Sequence, residues 1–422
     1  MEILSSYNLI IEVSLIIIIS FIFNGISKKT NVPAVLMLIV LGVGLQYALN
    51  YFTTDKLNFL PMLEVLGIVG LIMIVLEAAL ELELKREKLM PILKSMAIAL
   101  IGLIASAWVA ALILYEFIPE MTMQSAWLYA TPLSILSSAI IIPSVSVLNV
   151  NKKEFHIYES TFSDIMGIMM FYFLIGKLNP AEDSGVVGFT GNILLTIIIS
   201  LIASYAIIII FQKIKSQAKL FLLIAVLLLL YALGKKLHLS SLIIILIFGL
   251  VIANMKLFFK GKLAKYLEFK KAHQIYHELH IITLETAFVV RTFFFVIFGL
   301  TIAITSLFNL NVAIISLLII ASIYIIRFIL LQIFVGTDIL PQLFIAPRGL
   351  ITVLIFYAIP EEALISTFEP GILLFVIIGT SLIMTGAMIF DKKRSSKATE
   401  IANSKQVGSV KWKAPTIEDT KV

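Results

Sequence analysis

Glu159-Ser-Thr-Phe-Ser-Asp-Ile-Met-Gly-Ile-Met-Met-Phe-Tyr-Phe-Leu-Ile-Gly176 reads as a lipid-soluble helix with an acid inside it. Asp164 stands in this stretch with no partner charge beyond Glu159. A carboxylate at mid-membrane costs at least about 2.5–3.5 kcal/mol on insertion scales. A chain keeps such a group to bind a cation, to move a proton, or to hold another charge in place. Eight more ionisable side chains lie in comparably apolar stretches: Glu12, Glu64, Glu77, Glu159, Glu285, Arg291, Arg327 and Arg348. Together the nine describe an all-α membrane protein built around a buried ionic site.

Composition leads to the same class. The 422 residues are 60% hydrophobic and 14% charged, with a mean hydropathy of +1.06. Soluble domains carry roughly 25% charged residues, so only a polytopic membrane protein accommodates this balance. A chain of this length supplies about a dozen spans of about 20 residues each. The net charge of +6 does not argue for nucleic acid, because the basic residues fall in short loops between apolar runs. The absence of cysteine excludes disulfides and thiolate metal sites, and nothing in the sequence calls for a cofactor. The first six residues lack a basic region and a cleavage site, so the segment from Tyr7 reads as a retained first helix.

Apolar segments fall near 7–26, 33–51, 62–83, 94–117, 126–148, 159–177, 188–212, 219–234, 239–255, 278–304, 309–335, 343–360 and 371–390. Loops after odd-numbered segments carry Lys28 and Lys29; Lys85, Arg86 and Lys88; Lys152 and Lys153; Lys213, Lys215 and Lys219; and six lysines from Lys256 to Lys271. Loops after even-numbered segments carry only Lys56, Lys177, Lys235 and Lys236. Basic residues favour the cytoplasmic side, which places the N-terminus outside and the tail from Asp391 inside. The alternation holds with thirteen spans and is scrambled by losing one. The stretch 256–277 reads as a basic cytoplasmic connector, a surface helix in which His273 and His277 are solvated. The polar tail 391–422 reads as disordered.

Two spans are interrupted. The fifth reads Ala130-Thr-Pro-Leu-Ser-Ile-Leu-Ser-Ser-Ala-Ile-Ile-Ile-Pro-Ser-Val-Ser-Val147, with Pro132, Pro143 and five serines. Its helical ladder is expected to open near Ser137–Pro143, with Ser137, Ser138 and Pro143 forming the break. The twelfth contains Ala346-Pro-Arg-Gly-Leu350, a breaker pair beside a buried charge. Dividing the domain 1–390 into halves of about 1–177 and 219–390, with 188–212 as a linker helix, puts both interruptions in the fifth helix of a half. An odd number of spans separates the halves, so their topologies are inverted. Interrupted segments at corresponding places in two inverted six-helix repeats point to a secondary-transporter site.

The charges sort by position on their helices. Ser160 and Asp164 are four residues apart and share a face. Glu159 lies about 140° around the helix from Asp164 and about 7.5 Å along it, so the two carboxylates serve different partners. Asp164, with the Ser160 and Ser163 hydroxyls nearby, offers the hard oxygens a small monovalent cation prefers. Such a site holds a proton or a cation but not both, and that competition suffices for exchange. The alternative for Asp164 is an ion pair with one of the arginines. Arg327 needs a carboxylate, with Glu159 the first candidate. Arg348, beside the second break, either offsets exposed carbonyls or approaches the ion site. Glu285 and Arg291 differ by six residues and do not pair on one face. Glu77 is a candidate second ligand, Glu81 and Glu83 read as interfacial, and Glu12 and Glu64 receive no role.

Five stretches in register resemble the monovalent cation:proton antiporters. Gly70-Leu-Ile-Met-Ile-Val-Leu-Glu-Ala-Ala-Leu-Glu-Leu82 is similar to that family's third-helix pattern, and Glu159-Ser-Thr-Phe-Ser-Asp164 resembles its Glu-Ser-Leu-x-Asn-Asp motif. Leu284-Glu-Thr286 followed by Phe293-Phe-Phe-Val-Ile-Phe-Gly299 resembles its tenth-helix signature. Arg327 and Pro347-Arg-Gly349 fall where the family carries two late arginines. The resemblance implies Asp164 as the carboxylate shared by cation and proton, Glu77 as a nearby ligand, and Glu159–Arg327 as a structural pair where broken helices cross. It implies a homodimer in the plasma membrane, each copy with a dimerisation domain and a moving core, with Na+, or K+ or Li+, and H+ as the transported partners. Two departures stand out. Ser163 replaces the Asn before the aspartate, and Ile141-Ile142-Pro143 replaces the Thr-Asp-Pro of the sodium-type branch. Ser137-Ser-Ala139 looks more like the Ser-Ser-Thr-Ala of a potassium-linked branch, which leaves the cation open. A single core carboxylate in the sixth span suggests one-for-one electroneutral exchange.

Other classes fit less well. A channel predicts repeated pore-lining polar residues or a filter loop, and a sensor predicts a folded domain in the 32-residue tail. An intramembrane enzyme predicts paired catalytic groups, and His280 at a helix start stands alone.

Overall fold

The structure, a computed structural model, describes residues 6–30, 32–52, 60–82, 84, 86–145, 148–178, 185–216, 219–237, 241–301, 306–307 and 309–406. Glu83 lies outside them, as do the loop lysines Lys56 and Lys85 and residues 407–422; so do the side chains of Glu12 and Glu64. In chain order the helices are α1 Ser6–Thr30, α2 Ala34–Phe52, α3 Leu60–Glu81, α4 Leu89–Phe117, α5 Met123–Ser134, α6 Ser138–Ser144, α7 Val150–Gly176 and α8 Gly185–Phe211. They continue with α9 Lys219–Lys236, α10 Ser241–Ala253, α11 Met255–Phe258, α12 Phe269–Thr301, α13 Leu310–Phe334, α14 Leu350–Tyr357 and α15 Gly371–Gln406. Polar residues at the starts fix the entries. Asn149 accepts the Lys152 N–H at 2.9 Å at the head of α7, and Thr122 accepts the Ser125 N–H at 3.1 Å at the head of α5, each answering a donor that a helix start leaves free.

Each expected apolar stretch carries a helix or a broken helix. Among the described residues six are long and apolar enough to cross a membrane by length and composition, and three shorter apolar helices accompany them. The count of thirteen crossings remains an expectation. The described residues are nearly all helical, which lets each segment satisfy its own backbone in lipid.

Packing does not follow the sequence halves. One bundle joins α2, α3 and α12 to α10, which also packs on α8 and α9. The other joins α4 to α5, α7 and α13, with α15 against α13. Only sparse contacts, chiefly α3 with α14 and α7, link the two. Within the first bundle, α2 and α12 approach backbone to backbone. A Cβ on Gly42 would lie 2.1 Å from the Val296 carbonyl oxygen, and one on Gly299 would lie 2.4 Å from the Ile39 carbonyl oxygen. Small residues permit this approach where lipid leaves no hydrophobic drive between helices.

Three expectations need correction. The connector 256–277 is not a separate surface helix, because α12 already begins at Phe269 and runs unbroken to Thr301. The tail is not disordered from residue 391, because α15 continues to Gln406. The reason is local: no proline or glycine occurs from Ala387 to Val407 to stop it. The first break takes in Ser137, as expected, but extends back to Ile135, while Ser138 and Pro143 lie inside α6.

Candidate functional site

The second bundle is organised around two broken helices that cross. The α5–α6 helix opens at Ile135–Ser137, and the chain before α14 is extended through Gly349. At the crossing the Ser137 N–H donates to the Pro347 carbonyl at 2.9 Å. Gly349 permits the contact, since a Cβ there would meet the Ser137 Oγ at 2.6 Å. Every opened backbone group buried at membrane depth must find a partner, and side chains supply several. The Leu136 N–H donates to Ser163 Oγ at 3.0 Å. Arg348 donates from Nε to the Leu133 carbonyl at 2.9 Å, from Nη2 to Ser134 at 3.2 Å, and from Nη1 to Ala346 at 2.6 Å. Its charge therefore sits on the carbonyl end of α5, where the helix dipole is negative. Of the two roles open to Arg348, this geometry fits the offsetting of exposed carbonyls.

Glu159 and Arg327 meet in a two-pronged pair, Nη1 to Oε1 at 2.6 Å and Nη2 to Oε2 at 2.8 Å, with Arg327 Nε donating to the Gln342 carbonyl at 3.1 Å. Both are buried. The pair thus staples α7 to α13 and to the turn that precedes the second break. Such a fork-to-fork contact is the strong form of charged hydrogen bond. His156, which no sequence feature singled out, lies fully buried one turn away, its Nδ1 3.3 Å from Glu159 Oε2.

Asp164 is buried on the same helix but faces the other way. Its carboxyl lies against the Ser138 hydroxyl and backbone N–H at the start of α6, and its Oδ1 has no hydrogen-bond partner. No arginine pairs with it among the described residues. Ser160 donates its hydroxyl to the His156 carbonyl of its own helix at 2.7 Å, and Ser163 serves Leu136. Ser138, read in the sequence only as part of the break, is thus the polar neighbour nearest in role to Asp164.

Glu77 and Arg291 come together across α3 and α12 at 3.3 Å. Arg291 also donates from Nη1 to the Ala139 carbonyl of α6 at 3.0 Å. Residue spacing could not have paired them, since they lie on different spans 214 residues apart. Glu285 corrects the expectation of a core charge: it lies on an exposed face of α12, because six residues of helical rotation turn it away from Arg291. A cavity of about 110 Å³ lies between α1, α2, α6 and α12, walled by Asn24, Ser144, Thr292 and Arg291 among others.

Two crossed broken helices, a buried carboxylate with a free oxygen and a separate buried ion pair define a membrane transporter of the broken-helix class. The chain belongs to the sodium/hydrogen exchanger transmembrane family, whose pattern it matches over residues 14–390, and it is therefore a cation/proton antiporter. Its fold is similar to that of the sodium proton antiporter MjNhaP1 from Methanocaldococcus jannaschii. In the pH 8 structure the TM-score is 0.67 at 18% identity, covering 90% of this chain and 95% of that one. In the electron-microscopy structure the TM-score is 0.64 at 19% identity, covering 97% and 100%. Among curated proteins none matches.

Proposed function

We propose that this antiporter exchanges Na+ for H+ by alternating access, one for one, with Asp164 holding either the cation or the proton. The observation that carries the reading is the free Oδ1 of a buried aspartate set against the break between α5 and α6. An unpartnered carboxylate oxygen in a buried site is costly, and either a bound proton or a bound cation relieves that cost. Ser138 supplies a second oxygen beside it. Glu77, held by Arg291, is not free to join in this conformation. Glu159 is committed to Arg327 and keeps the crossing in shape. The sparse contacts between the two bundles suit a core that slides against a fixed panel, carrying Asp164 from one side to the other. The lysine pattern supports an outside N-terminus and an inside tail in the plasma membrane, and family membership supports a homodimer.

K+ is the second reading, favoured by Ser137-Ser138-Ala139 and by Ile142 where an acid would sit. Proton flux in sealed vesicles, with Na+, K+ and Li+ supplied in turn, tests both. Flux with Na+ alone or most strongly is expected. A response confined to K+ would move the assignment to that ion, and none with any cation would overturn the exchange reading.

A further inference from the structure

Pro143 lies inside α6 and has no N–H, so the carbonyl four residues earlier, on Ala139, loses the donor a helix would give it. That oxygen is taken instead by Arg291 Nη1, at 3.0 Å. Arg291 belongs to α12 in the other bundle and is held from behind by Glu77 of α3. Its Nε is buried without a partner, so the guanidinium is not saturated by its surroundings. The cavity of about 110 Å³ ends on this contact, with Ala139, Pro143 and Arg291 all on its wall. A charged donor reaching from one bundle to a bare carbonyl of the other, where packing between them is sparse, is a latch by its chemistry.

We propose that Arg291 is a positioning residue which, through the carbonyl freed by Pro143, ties α6 to the panel helices in one position of the core and releases it in the other. The latch acts on the ion site only indirectly, since Ser138 at the head of α6 is what Asp164 touches. It rests on the alternating-access reading above. A static structural contact would not change which side the cavity faces, whereas a latch would.

The chain has no cysteine, so a single reporter thiol can be placed in the full-length protein. Asn24→Cys stands on the α1 wall of the cavity and belongs to neither latch element. The measurement is its labelling by a membrane-impermeant maleimide in vesicles, together with the KM and maximal rate of exchange. Arg291→Gln removes the charge and the reach of that donor, leaving a shorter neutral amide. Pro143→Ala restores an N–H that competes for the Ala139 carbonyl while leaving the Arg291–Glu77 pair intact, so it answers even if Arg291→Gln fails to assemble. Each is expected to slow labelling by a factor approaching about ten, the population change that a charge-assisted hydrogen bond commands. Each changes the maximal rate more than the KM, and the double variant goes no further than either single one. Unchanged labelling, or losses that multiply in the double variant, would overturn the latch. Exchange is measured in the same vesicles with the parent chain; its absence would remove the transport reading, whereas labelling indifferent to both substitutions removes only the latch.

Discussion

At the scale of single residues, burial and partners separate Asp164 from every other acid in the described core. Glu159 is answered by Arg327 and Glu77 by Arg291, while Asp164 keeps an oxygen unanswered. Neutralising an unpaired buried charge removes a desolvation cost, but neutralising a paired one creates an orphan. Asp164→Asn is therefore expected to abolish cation-dependent proton movement while leaving membrane insertion and thermal stability at the parental level. Flux in vesicles and melting in detergent check the two halves; exchange at the parental rate would show that Asp164 is not the carrier. This separation was partly legible in the sequence. Asp164 declared itself by standing alone in an apolar run, and helical geometry turned Glu159 away from it. The Arg291–Glu77 contact was not legible, because pairing between distant spans depends on how helices pack and leaves no local spacing. His156 was invisible for a related reason: nothing in the polar first turns of α7 shows that neighbouring helices bury it.

At the scale of elements, the crossing of the two breaks depends on a staple and on a gap. The staple is Glu159–Arg327, which joins α7 to α13. Removing either partner strands the other in the core and is expected to destabilise by about 3–5 kcal/mol, whereas removing both costs less. A double-mutant cycle on detergent melting measures the coupling, and additive losses would mean the two side chains are independent. The gap is at Gly349, whose backbone is extended and unstrained but whose missing Cβ leaves room for Ser137. Gly349→Ala is expected to cost about 1–3 kcal/mol through overpacking, and adding Ser137→Gly is expected to recover part of that. Equal stability of Gly349→Ala and the parent would show that the crossing relaxes freely. Breakers in the sequence located both interruptions, but the first extends back to Ile135. Proline marks where a helix lacks a donor, not where it stops: Arg291 supplies that donor to Ala139 and lets α6 run through Pro143. The actual stop is set by Arg348, Ser163 and Pro347, which satisfy the opened backbone from other helices.

At the scale of the whole molecule, the proposed alternating core would set the charge carried per cycle by the number of free carboxylates that move with it. The bundle containing the crossing holds Asp164 unpaired and Glu159 bound to Arg327. The broken helix adds none, since Ile142 stands where an acid would bring a second negative charge. Glu77 sits in the other bundle, on α3, and remains with Arg291. A single site that alternates between a proton and a monovalent cation moves one positive charge in each direction. Exchange is then expected to be insensitive to membrane potential. It is also expected to fall at acid pH, because protons displace the cation from the same oxygens. Reconstituted protein under an imposed potassium-diffusion potential, with Na+ as test substrate and the ionophore alone as control, makes the measurement. A rate that follows the potential, or a sustained current, would mean that a second acid carries a proton. Glu77 is then the first to examine, and Glu77→Gln would have to abolish the potential dependence while exchange continued.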